Sequence, residues 1–225
     1  MASILFADEQ LEIPLEIGTL AEFRRWALSP EFPERGRIDF IDGTIEVDMS
    51  PENVFFHGAI KVEFSAEILS RVKELGLGYV LSDCTRVSNA EANLSSEPDV
   101  LVVSHESLED GRVKLIPAAS GDEDSYVELE GSPDLVVEII SDGSEHKDKK
   151  RLIKAYYVGG VREYWLVDVR GNKLVMQILH RGRGQFEASP VDGDGYQRTD
   201  VLQCRYKLDR QRGPSGYWQF ALVRG

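Results

Sequence analysis

Residues Ser132 to Ser141 read SPDLVVEIIS. The run is short, opened by a proline and rich in Val, Leu and Ile, which predicts a buried strand. It still carries two acids, Asp134 and Glu138. Side chains alternate faces along a strand, so the two point the same way, with α-carbons roughly 13 Å apart at strand rise. One Mg²⁺ holds its oxygens at about 2.1 Å, so this pair is not expected to share an ion. Glu138 sits between Val137 and Ile139, and an unpaired buried carboxylate is expensive. It needs a cation or metal opposite it, or a raised pKa.

The neighbouring run EPDVLVVS, Glu97 to Ser104, offers a partner. If the two strands lie side by side, about 4.8 Å apart, Asp99 and Glu138 can converge on one ion while Asp134 stays near the strand start. The plain alternatives remain in view. An acid after proline at a strand start is commonly a turn residue or cap, the preferred reading for Asp134. Glu138 could instead meet a following lysine in a buried salt bridge.

Downstream, HKDKKRLIK (His146 to Lys154) gathers five cations around one acid, Asp148, and predicts a helix from about His146 to Tyr157 ended by Gly159-Gly160. EYWLVDV is the next strand, with NKLVMQILHR as the second arm of a hairpin. Upstream, Thr19 three residues before Glu22 marks a capping box and a short helix over 20–28. RIDFIDGTIEVDM reads as a hairpin around Asp42-Gly43. Val54, Phe55, Ile60, Phe64, Ile68, Leu69, Val72 and Leu75 have helical spacing, stopping at Gly76 or Gly78. GYVLSD, TRVSN, PDVLVVS and PDLVVEIIS are expected to share one central sheet. Glu109 to Gly131 is acidic and poorly periodic, expected to be a long connection with at most a short strand. The last forty residues predict further short strands, and DGDG lacks the remainder of a calcium loop, so it reads as a turn.

The chain has 225 residues and 42% hydrophobic content, enough for one packed domain over 1–225. Cys84 and Cys204 have no disulfide or zinc spacing and are expected as small, buried, reduced core residues. No basic leader and no apolar run of spanning length is seen, so a cytoplasmic protein without membrane contact is expected. A net charge of −13 argues against nucleic-acid binding through a broad basic face, though not through a local strip such as 146–154. Serine-hydrolase, zinc-protease and P-loop motifs are missing.

EPDVLVV, SPDLVVEIIS, the basic segment KDKKR and GGVREYWLVD together resemble the Uma-type endonucleases of the restriction-endonuclease-like PD-(D/E)XK superfamily. RIDFIDGTIEVDMSPEN followed by His57 resembles that family's N-terminal hairpin and helix, so the resemblance spans about 36–168. It implies a mixed α/β fold, a central mixed sheet flanked by helices, with a core near 36–180, an extra N-terminal hairpin and C-terminal strands. It further implies Mg²⁺ (or Mn²⁺), with Asp99 and Glu138 as metal-binding catalytic acids, and hydrolysis of DNA phosphodiesters. The superfamily's lysine two residues after the second acid is replaced here by Ile140. Lys150 is the first substitute from the following helix, with Lys147 and Lys154 behind it. His57 is a secondary candidate for a proton shuttle; Glu63 and Glu67 are expected to be ordinary helix acids, and Tyr156, Tyr164 and Trp165 core packing. Folds of this kind often form a homodimer, which could cut both strands, but no interface is legible. The rival reading is a nuclease fold kept as a binding or interaction module, its lysine lost rather than moved.

Overall fold

The computed structural model describes residues 3–6, 11–33 and 35–225. An antiparallel pair, β1 (Ser3–Phe6) and β2 (Leu11–Pro14), precedes α1 (Leu20–Ala27). The capping box predicted for α1 is present: Thr19 Oγ1 accepts the Glu22 N–H at 3.3 Å and Glu22 Oε2 accepts the Thr19 N–H at 2.9 Å. β3 (Arg37–Ile41) and β4 (Thr44–Asp48) form the hairpin read around Asp42-Gly43, whose φ angles of 49° and 80° are those a two-residue turn of this hand requires.

A π-helical turn, Val54–Ala59, leads into α2 (Ile60–Leu75), which ends at Gly76 with φ 59°. The chain then makes β5 (Gly78–Ser82), β6 (Arg86–Asn89), β7 (Leu94–Ser96), β8 (Val100–Ser104) and the short α3 (His105–Glu109). β9 (Val113–Pro117), β10 (Tyr126–Gly131) and β11 (Leu135–Ile139) follow. A second π-helical turn, Lys147–Leu152, runs into α4 (Ile153–Gly159). The remainder is β12 (Glu163–Asp168), β13 (Val175–Arg181), β14 (Phe186–Ala188), β15 (Gln197–Thr199), β16 (Cys204–Arg212) and β17 (Trp218–Arg224).

The expected mixed α/β class holds, with two mixed six-stranded sheets in place of one central sheet. One has the order β4-β3-β7-β6-β10-β9 and the other β14-β13-β12-β11-β8-β5. TRVSN therefore belongs to the first sheet and the three other runs to the second. Their facing sides share a core of Ile41, Val87 and Leu94 against Leu101, Val136 and Tyr164, capped by Tyr156 of α4. The outer face of the second sheet (Val100, Val102, Val137, Trp165) is covered by Ile60, Phe64 and Ile68 of α2 and by a separate three-stranded sheet, β15-β16-β17. α1 lays Phe23 and Trp26 over Ile38 and Phe40 on the outside of the first sheet.

Two further expectations change. The stretch Glu109 to Gly131 holds two paired strands, β9 and β10. Its apolar alternation is broken because Glu128, on the face that α1 covers, is buried and held by a bidentate Arg24. Cys84 is exposed and Cys204 half-buried, so neither is a core residue, and both are free. Among the described residues no helix is long and apolar enough to cross a membrane.

Candidate active site

Glu138 lies on the side of β11 that faces the first sheet, beside Val136. β11 and β8 pair antiparallel with Val137 opposite Val100, and one step further places Glu138 opposite Asp99. Asp99 stands where the chain crosses from β7 in the first sheet to β8 in the second, so the two sheets open around it. Both carboxylates are buried. Asp99 Oδ2 accepts the Ile139 N–H at 2.7 Å, and Oδ1 accepts from Arg37 Nη2 at 2.6 Å. His57 Nε2 is 3.5 Å from Oδ2, and Lys61 Nζ is 3.7 Å from Oδ1. Burial alone would raise the Asp99 pKa, but Arg37, His57 and Lys61 outweigh it and hold this carboxyl well below its usual range.

Glu138 behaves in the opposite way. Burial first, then the Asp99 and Asp148 charges, push its pKa well above the usual carboxylate value. Its Oε1 accepts the Tyr156 hydroxyl at 3.1 Å, and Ser96 Oγ lies 3.0 Å from the same hydroxyl. Asp148, on the second π-helical turn, is raised to about 6, again chiefly by burial. One of its oxygens accepts the Ser144 hydroxyl; the other, Oδ1, is buried with no hydrogen-bond partner among the described residues.

The cations come from three directions. Lys147 is buried with Nζ 2.7 Å from Asp39 Oδ2, and its charge is felt at Glu138. Asp39 itself points inward from β3, as Arg37 does. Lys61 is nearly enclosed and reaches Glu52 and Asp83 at 2.7 Å each. Arg37, Glu52, His57 and Asp83 line a cleft of about 280 Å³ that gives this cluster its opening to solvent.

Of the lysines suggested by the sequence, Lys147 joins the buried cluster and Lys150 does not. Lys150 is exposed and lines a different depression with Lys154, Asp42 and Glu91. Ile140 is fully buried in the core between the sheets, among apolar side chains that would strand an ammonium. Asp134 takes the structural role preferred for it: its oxygens accept from the Ser104 N–H, the Ser107 hydroxyl and Arg112. Glu63 and Glu67 tie the C-terminal sheet to α2 through the Leu222 N–H and the Tyr206 hydroxyl.

Arg37, Asp39 and Lys61 were missed. The available signal was position: Arg37 and Asp39 share the inward face of β3 with Ile41, and Lys61 follows His57 by four on the helix face that also buries Phe64. Tyr156, read as packing, is indeed buried, but its hydroxyl touches Glu138.

The donor chemistry fits a hard divalent cation. Two carboxylates face one another on adjacent strands, and the Glu138 charge is resisted by that of Asp99. Mg²⁺ commonly takes one or two carboxylates and completes its shell with water and substrate oxygens. No cluster of three Asp, Glu, His or Cys suited to a metal occurs among the described residues.

Residues 20–210 match the family described as "Uma2: Putative restriction endonuclease". Among solved structures, the fold resembles "a putative nuclease belonging to DUF820" from Anabaena variabilis. The TM-score is 0.59 at 20% identity, covering 82% of this chain and 90% of that one. No curated protein matches the chain.

Proposed function

The chain belongs to the Uma2 restriction endonuclease family, and from that premise we propose that it hydrolyses DNA phosphodiesters with Mg²⁺ or Mn²⁺ held by Asp99 and Glu138. The observation that carries this reading is the cross-strand opposition of the two buried acids with a lysine ammonium, Lys61 Nζ, 3.7 Å from Asp99. When bound, such an ion neutralises charge on the scissile phosphate and lowers the pKa of its water.

The chain's own residues divide the remaining work. Arg37 presents fixed N–H donors at the cleft, and the buried Lys61 adds its charge from behind the lining acids Glu52 and Asp83, where charge builds on the phosphate during attack. They are held in place by Asp99 and by Glu52 and Asp83, so little reorganisation is needed at reaction. Lys147, anchored on Asp39, offsets the Glu138 charge from the interior side. His57 lines the cleft with Nε2 3.5 Å from Asp99 Oδ2 and Nδ1 3.4 Å from Glu52 Oε1, which places its ring as a proton shuttle between the cleft and these carboxylates. Lys61 thereby takes the electrostatic role that Ile140 cannot, from a helix ahead of both acids.

One observation favours the rival binding module: Arg37 already neutralises Asp99 at 2.6 Å. Supercoiled plasmid and single-stranded DNA incubated with Mg²⁺ or Mn²⁺ separate the two. Asp99→Ala, Glu138→Ala and Lys61→Ala should each cut at least about a hundredfold more slowly than the parent. Undiminished cutting by both acid variants would sink the site, and no cutting by the parent under any condition would favour the module.

A further inference from the structure

The protein is acidic, yet Cys204 to Gly225 carries Arg205, Lys207, Arg210, Arg212 and Arg224 against a single acid, Asp209. This segment forms the hairpin β16–β17, and its outer half faces the start of α2 across a groove of about 750 Å³. Phe55 and Ala59 line one side, Arg210, Trp218 and Phe220 the other. Arg210 and Arg212 stack over the Trp218 ring, 4.3 and 3.8 Å from its centroid. Both guanidiniums are hydrogen-bonded to backbone carbonyls, of residues 171–173 and of Gly216, and neither pairs with a carboxylate among the described residues. The nearby acids are engaged, Glu63 by the Leu222 N–H and Asp209 by Lys207. At the rim Tyr217 stacks on Phe55 at 4.8 Å and 12°, and is 56% exposed, leaving its other face to solvent.

Phe55 belongs to the same π-helical turn as His57. One side of that turn lines this groove, and the other lines the cleft beside Asp99. Resting on the proposed nuclease reading, we propose that the groove holds an unpaired nucleic-acid strand and leads it to the Asp99–Glu138 cleft. Tyr217 stacks a base, and the carboxylate-free guanidiniums of Arg210 and Arg212 take phosphates. Exposed aromatics beside unpaired guanidiniums suit a strand whose base faces are open; a duplex hides those faces.

Binding is measured without cleavage, with a fluorescein-labelled oligothymidylate in EDTA at low salt, by anisotropy. Tyr217→Ala should weaken binding about tenfold, as loss of one base stack does. Arg212→Gln should lower the slope of log affinity against log salt by about 0.7, the value for one phosphate contact on a single strand. Both positions are exposed, so the variants should fold. The oligonucleotide should also quench Trp218, since Trp26 and Trp165 are buried. Parent-like binding by both variants, or a blunt duplex bound as tightly as the single strand, would overturn the proposal. Self-association without DNA that Tyr217→Ala abolishes would assign the groove to a second copy and also overturn it. Anisotropy in EDTA reads the groove without the acid pair, and plasmid cutting with Mg²⁺ by the Asp99→Ala and Glu138→Ala variants reads the acid pair, so the two readings can fail independently.

Discussion

Asp134, immediately before β11, and Glu138, within it, are four residues apart, yet their carboxyls shift in opposite directions. Burial opposes ionisation of both, but Asp134 meets the Ser104 N–H, Ser107 and Arg112, whereas Glu138 meets Asp99. An acid whose folded pKa is raised binds its proton more tightly when folded. Its stability contribution is therefore greatest below the unfolded value of about 4.3 and falls as pH rises towards the folded one. Without metal, Glu138→Gln should melt above the parent at pH 8 and close to it at pH 4.5. Added Mg²⁺ should raise the parent's Tm at pH 8 and leave that variant unmoved. Asp134→Ala strands the Ser104 N–H and removes a buried partner of Arg112, and urea titration should show a loss of about 3 kcal/mol. Equal stability would mean that water replaces the carboxylate there.

At the scale of elements, α1 rests on a motif visible in the chain. Thr19→Ala should cost about 1 kcal/mol in chemical denaturation, and Thr19→Ser almost nothing. Such local signals explain what was legible: the capping box, the Asp42-Gly43 turn, the helix stop at Gly76 and the strand runs around Asp99 and Glu138. Sheet membership was not legible, because TRVSN has the composition of a strand in either sheet and only non-local pairing decides. The two π-helical turns share the side-chain spacing of an α-helix closely enough to be read as one. The acid pair could be foreseen because each acid interrupts an apolar run. Arg37, Asp39 and Lys61 could not, since a lone charge in an amphipathic element looks solvated until the opposing sheet is known. Lys150 illustrates the converse: spacing along the basic turn does not say which lysine faces inward, and Lys147 is the one that does.

Across the whole molecule, the C-terminal sheet is fastened to the rest by polar contacts around the buried Glu163. Glu163 on β12 accepts the Asp200 and Val201 N–H groups, and His180 Nδ1 lies 3.3 Å from it, with Nε2 3.0 Å from the Arg198 carbonyl. The hydrogen bond to Glu163 leads the effects that raise the His180 pKa. A histidine raised on folding stabilises fully below its unfolded pKa near 6.5, and that contribution is lost as pH climbs through the folded value. The Tm difference between the parent and His180→Gln should therefore be largest at pH 6 and shrink by pH 9; a constant difference would show that the imidazolium charge is idle. At the far side of this sheet, β17 is an edge strand, and the Leu222 N–H turned away from β16 is taken up by Glu63 Oε1 at 3.0 Å. An edge whose outward amide is already occupied offers a poor template to the same strand of another molecule. Glu63 on α2 thus does at Leu222 what a protruding lysine or proline does on other edges, closing one amide of this margin to a pairing strand.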